Sequence, residues 1–173
     1  MNEFLEILKY VLPSVVVFLT SWLMLASFYQ RDKERHRMEL ATKNQKLITP
    51  IRLQAYERIV LFLERINPES LIMRVNRAGM TSRQLQNEMI SQIRSEFEHN
   101  LSQQVYMSSD AWELVKSARS NLIKIINSCA QKVDPESPSI NLSKSILEFM
   151  IEMEKSPITV AIEYIKKEVK NYF

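Results

Sequence analysis

The sequence predicts an all-α chain: one N-terminal transmembrane helix, a helical stalk, and then a five- or six-helix bundle in the cytoplasm. Three observations predict it. Gly79 is the only glycine among 173 residues, where average usage would give roughly ten to twelve. Tight hairpins and phosphate-cradling loops need residues that tolerate positive φ, and glycine is the usual supplier, whereas helix interiors do not require it. From residue 51 onward apolar residues recur at helical spacing, and no stretch alternates convincingly at period two. Finally, the run YVLPSVVVFLTSWLMLASFY, residues 10–29, holds twenty residues without a charge.

That run sets the first element, a transmembrane anchor over residues 1–30. At about 1.5 Å per residue, twenty residues reach about 30 Å, the thickness of the hydrocarbon layer. Tyr10 and Tyr29 stand at its two ends, where aromatic rings favour the interface, and Pro13 falls in its first turn. A cleaved signal peptide fits less well, because Glu3 and Glu6 precede the run and no Ala-x-Ala follows it. The run has no ionisable residue to carry a proton or ion, and no GxxxG to dimerise through.

Residues 31–48 form a basic helical stalk, polar on all sides. Only Lys9 precedes the run, while Arg31, Lys33, Arg35 and Arg37 follow it directly, with Lys43 and Lys46 close behind. By the positive-inside rule these basic residues orient the anchor, with the N-terminus outside and the C-terminal domain in the cytoplasm. The stalk also accounts for the sequence pI of about 9.0, because residues 47–173 carry sixteen basic and fifteen acidic side chains. No nucleic-acid partner is expected from so balanced a body.

Residues 49–173 are expected to form the bundle. Thr49-Pro50 reads as a cap and first helical position, opening a helix to about Ile66. Its stripe is Ile51, Ala55, Ile59, Phe62 and Ile66, widened by Tyr56, Val60 and Leu63, a breadth expected at the bundle centre. Asn67-Pro68 starts a short helix to about Arg77, with Gly79 as its C-cap. Thr81 or Ser82 caps a helix to about Val105, with Leu85, Met89, Ile93, Phe97 and Leu101 as its stripe. Ser108 or Ser109 starts the next, whose stripe runs from Trp112 to Cys129 and Val133. DPESPS (134–139) is a loop, a helix over about 141–154 follows, and Ser156-Pro157 opens the last.

Candidate chemistry is sparse. Glu96-Phe97-Glu98-His99 holds one Glu-x-x-His, but a di-iron bundle needs a second copy. The residue three before His36, the other histidine, is Lys33. No metal and no cofactor is expected. Cys129, the lone cysteine, sits among apolar residues at helical spacing and reads as a core residue. A polar patch is the remaining candidate: Glu98, His99, Asn100, Gln103 and Gln104, together with Glu57 and Arg58 from the Pro50 helix. It reads either as a recognition surface or, more simply, as a polar network tethering helices, with Glu57, Arg58, Glu64 and Arg65 on the Pro50 helix.

The segments RLQAYERIVLFLERINPESLIMRV (52–75) and SEFEHNLSQQVYMS (95–108), with the YVLP opening of the apolar run, resemble an uncharacterised family of short, single-pass bacterial membrane proteins found mainly in the Bacteroidota. The resemblance covers most of the chain. It implies a bacterial cytoplasmic (inner) membrane and attaches no activity. The expected partners are membrane lipid, through residues 10–29, and a protein partner or a second copy of the chain. The function expected is a membrane-anchored helical interaction module, an adaptor or assembly subunit without catalysis. The alternative is an enzyme or small-ligand-binding bundle built on Glu57, Arg58, Glu98 and His99.

Overall fold

The computed structural model describes residues 2–172, with side chains from Val15 onward except those of Leu40, Ala41, Asn44 and Tyr172. The named elements are helices: α1 (Asn2–Ile66), α2 (Pro68–Val75), α3 (Ser82–His99), a 3₁₀ turn (Leu101–Tyr106), α4 (Ser109–Ala130), α5 (Ser139–Glu152) and α6 (Pro157–Tyr172). Extended pairing among the described residues is limited to one isolated bridge, Thr81 to Pro138. The chain forms two units, Met1–Thr49 and Pro50–Phe173.

The first unit is helical throughout its described residues. Among those residues no helix is long and apolar enough to cross a membrane. The expected anchor covers residues 1–30; the side chains of its first fourteen residues, including the first five of the uncharged run that begins at Tyr10, lie outside the described ones. The described side chains of the run are those of Val15 to Tyr29. Their large apolar side chains, Phe18, Trp22, Leu23 and Phe28 among them, are exposed.

The expected helix start at Thr49-Pro50 is not observed, because α1 runs through both residues. Pro50 removes one intrahelical bond, and the helix formers on either side, Lys46 and Leu47 before it and Arg52 to Gln54 after it, carry the helix across.

In the second unit the expected stripes become one core. Tyr56, Ile59, Phe62, Leu63 and Ile66 of α1 join Leu71 of α2, Leu85, Met89 and Ile93 of α3, and Leu122 and Ile126 of α4. Burying each such side chain stabilises the fold by about 1.5–3 kcal/mol. α4 packs against α3, α5 and α6. α1 buries one face and leaves Ile51, Leu53, Gln54, Arg58 and Leu61 exposed on the other. Across the α1–α3–α4 junction, Phe62 meets Phe97 at 5.9 Å and Phe97 stacks on Trp112 at 5.4 Å between ring centroids. The Arg119 guanidinium lies 4.0 Å from the centre of the Phe97 ring. Its Nε is buried without a hydrogen-bond partner among the described residues, so the negative face of the aromatic ring supplies the compensation.

The caps explain where helices begin. Thr81 and Gln84 form a capping box at the start of α3. The next two amides are held by the 134–139 loop: Ser82 donates to the Ser137 carbonyl at 2.8 Å and Arg83 to that of Pro135 at 3.0 Å. Gly79 does not cap α2, whose C-cap is Asn76; at φ +83 it turns the chain three residues later. α3 stops at His99 rather than Val105. Asn100 is the cause: its side-chain Nδ2 donates to the Glu96 carbonyl at 2.8 Å, the acceptor its own backbone N–H would use in a continuing helix. That N–H turns to Phe97 instead, at 3.0 Å. Leu101, expected on the buried stripe, is left exposed.

Replacing Ile93, fully buried in α3, by Ala should cost about 2–5 kcal/mol. Replacing Ile151, 83% exposed, should change stability by no more than about 0.5 kcal/mol. Urea unfolding midpoints of the two full-length variants measure the contrast.

Candidate functional site

The residues of the expected polar patch separate into three neighbourhoods. Arg58, His99 and Asn100 line one depression between α1 and the end of α3, with Leu61, Arg65 and Glu96. Arg58 and Gln103 line a second, with Ile51, Gln54, Val105 and Tyr106. Glu98, one residue before His99, faces a different groove with Gln86 and Asn127. Glu57 and Gln104 are exposed and line none of these. The orienting residues Arg31, Lys33, Arg35 and Arg37 are likewise exposed, in the first unit.

The first two depressions share Arg58 and follow α1 as one groove. Its walls are tied together. Arg65 pairs with Glu96 at 2.8 Å, and Arg74 reaches the same carboxylate oxygen at 3.4 Å. Arg52 Nε donates to the Tyr106 carbonyl at 3.2 Å. α1 is therefore joined to the end of α3 through Arg65, one of the residues weighed for such a tether, and Glu96, and to the turn beyond it through Arg52. With Glu96 committed to two arginines and the His99 Nδ1–H donating to the Ser95 carbonyl at 2.7 Å, the Glu-x-x-His pair is bound to its surroundings. Among the described residues no cluster of three metal-ligating side chains forms. Arg58 has no ion-pair partner among the described residues, which leaves the groove with an uncommitted cation.

Cys129 lies in the core as expected, with its thiol 3.6 Å from the Ser145 carbonyl.

A second constellation, not anticipated from the sequence, centres on Glu168 of α6, which is 9% exposed. Its Oε1 accepts from the Tyr56 hydroxyl of α1 and, at 3.2 Å, from the Ser108 N–H. Its Oε2 accepts from the Ser108 hydroxyl at 2.5 Å. That hydroxyl in turn accepts the Ala111 N–H at 3.1 Å, the first cap of α4. Three donors on two elements thus satisfy one buried carboxylate. Burial, followed by the hydrogen bond to Glu168 and its negative charge, pushes the Tyr56 phenol from its ordinary 10.0 up to about 12, against a smaller opposing pull from Arg52. The signal for Glu168 was present: it stands three residues after Ile165 and seven after Ala161, on the buried stripe of α6.

The raised Tyr56 value makes stability pH-dependent. Because the folded phenol holds its proton more tightly than the unfolded one, its contribution is intact below about pH 10 and falls as pH rises toward about 12. Tyr56→Phe should lose stability at neutral pH, through the lost donor to Glu168, and show a shallower decline between pH 10 and 12 than the native chain. Denaturant midpoints across pH 8–12 for both proteins check this; parallel slopes would refute it.

Neither the curated proteins nor the solved structures gave a match to this chain. A family model does match, over residues 2–172. With that extent of match the chain belongs to the family of unknown function DUF7935.

Proposed function

We propose that this protein is a membrane-anchored interaction module: residues 10–29 lie in lipid, the N-terminus is outside, and the helical bundle acts in the bacterial cytoplasm as an adaptor or assembly subunit. The observation that carries the reading is the exposed apolar surface of Val15–Tyr29, where Val17, Phe18, Trp22, Leu23, Met24, Leu25 and Phe28 all face outward. A continuous apolar surface of that kind is unfavourable in water and marks contact with lipid or protein. Two of its hydroxyl groups are also compatible with hydrocarbon. The Thr20 hydroxyl lies 3.0 Å from the Val16 and Val17 carbonyls, and that of Ser27 lies 2.8 Å from Met24 O, so each donor is satisfied within its own helix. Arg31, Lys33, Arg35 and Arg37 then follow the run on the side expected to stay in the cytoplasm.

The full chain should remain in the membrane pellet after alkaline carbonate washing. The double variant Leu19→Arg/Leu23→Arg should shift it toward the soluble fraction, since each arginine costs about 2.5–3.5 kcal/mol at the centre of a span. A reporter active only in the periplasm, fused after Phe173, should stay silent. A native chain that washes free, or a fusion that is active, overturns the anchor or its orientation. Crosslinking in native membranes should recover a stoichiometric partner or a second copy; a lone monomer would contradict the adaptor reading.

A further inference from the structure

The face that α1 leaves open within the second unit is not a random polar surface. Ile51, Gln54, Arg58, Leu61 and Arg65 are all exposed and recur at intervals of three, four, three and four. They form one stripe of the helix, a seam that a second helix can follow, apolar at Ile51 and Leu61 and basic at Arg58 and Arg65. It lies beside the buried stripe of Ala55, Ile59, Phe62 and Ile66, so α1 presents two seams, one used by the bundle and one unfilled. The unfilled seam covers about 21 Å of helix, roughly four turns. The facing wall is apolar as well: Val105 is 76% exposed and Tyr106 also reaches the surface, opposite Ile51, which is 47% exposed. Leu61, 59% exposed, provides the apolar position further along.

Charge selects among possible occupants. Along the seam itself the charged residues are Arg58 and Arg65, and Glu96, the one carboxylate lining the groove, is already shared by Arg65 and Arg74. Glu57 and Glu64 each precede a seam arginine by one residue, which places them about 100° around α1, on the outer edge. An occupant that fits must offer apolar side chains at helical spacing, carboxylates toward Arg58 and Arg65, and no acidic charge on its outer edge. A lipid headgroup layer satisfies the arginines but not the apolar spacing, and it would face Glu57 and Glu64 with like charge.

We propose that the groove between α1 and the Ser95–Tyr106 segment docks an amphipathic helix of a partner protein, whose acidic flank meets Arg58 and Arg65 and whose apolar residues cover Ile51, Leu61 and Val105. The proposal deepens the adaptor reading and rests on it, by naming the surface and the kind of partner.

The test uses the full chain in detergent and a fluorescent synthetic helix of about four turns, with leucines at seam spacing and glutamates on one flank. A second peptide carries lysines in their place. The glutamate peptide should bind, should lose affinity with added salt, and should bind Arg58→Glu more weakly by roughly tenfold or more, the scale of a lost charge-assisted contact. Leu61→Ser should weaken it too. Arg58→Glu should in return gain affinity for the lysine peptide. Both residues are exposed and Arg58 has no ion pair among the described residues to lose, so both variants should keep the native melting temperature. Equal binding of the two peptides, or binding indifferent to Arg58→Glu, overturns the proposal. So does concentration-dependent self-association that Arg58→Glu abolishes, which would assign the groove to a second copy. Because the peptide is free in solution, this result is independent of the carbonate and reporter experiments: a groove that binds in a chain that washes free of membranes would sink the anchor alone.

Discussion

The Glu168 carboxylate is the point on which the second unit turns. It reaches α1 through Tyr56 and the start of α4 through Ser108, while standing on α6 itself. A buried carboxylate is tolerated only when its lone pairs are filled, and a donor deprived of its acceptor in the same place costs about 1–3 kcal/mol. The arrangement therefore fixes position more than it adds stability. Leucine at this site would bury well but would leave the Tyr56 hydroxyl and the Ser108 amide without acceptors. Apolar contacts are non-directional, whereas a carboxylate shared by a phenol and a helix cap fits one register. The face of α1 that remains open, and hence the groove beside the α3 end, follows from that register, because the rotation of α1 about its own axis is set in part by where Tyr56 must point.

Much of the fold could be read from the residues, because helix stripes and caps are local. Ala55, Ile59, Phe62 and Ile66 of α1, and Leu85, Met89, Ile93 and Phe97 of α3, are buried as their spacing implies. Thr81, Ser108 and the Ser156-Pro157 pair mark helix starts where expected. Boundaries set by competition between two acceptors were harder. Thr49-Pro50 has the form of a helix start, yet α1 continues, since a cap motif reports what a chain would do if it had to begin there. Asn100 ends α3 through a side-chain bond to a carbonyl four residues back, a choice that spacing does not record. Ile51 and Leu101 continue their stripes in sequence but lie beyond the point where a neighbour covers them.

The site was less legible, for a related reason. His99, Asn100 and Arg58 do gather in one depression, because the end of α3 and the outer face of α1 are adjacent. Glu98 departs because one residue along a helix is about 100° of rotation, enough to carry it into the groove with Asn127. Tyr56 and Glu168 are separated by 112 positions, and no local pattern links them. What the sequence did display was a glutamate at a core position of α6, a local rule broken, and such breaks are where tertiary structure imposes a requirement.

The burial of Cys129 has a practical side. It is the sole cysteine of the chain and is 1% exposed, and thiol chemistry proceeds through an accessible thiolate. A maleimide or spin-label reagent applied to the folded protein would find almost nothing to modify. The native chain is thus already a cysteine-light background, in which a thiol placed on any outer helical face becomes the single attachment point for a distance probe.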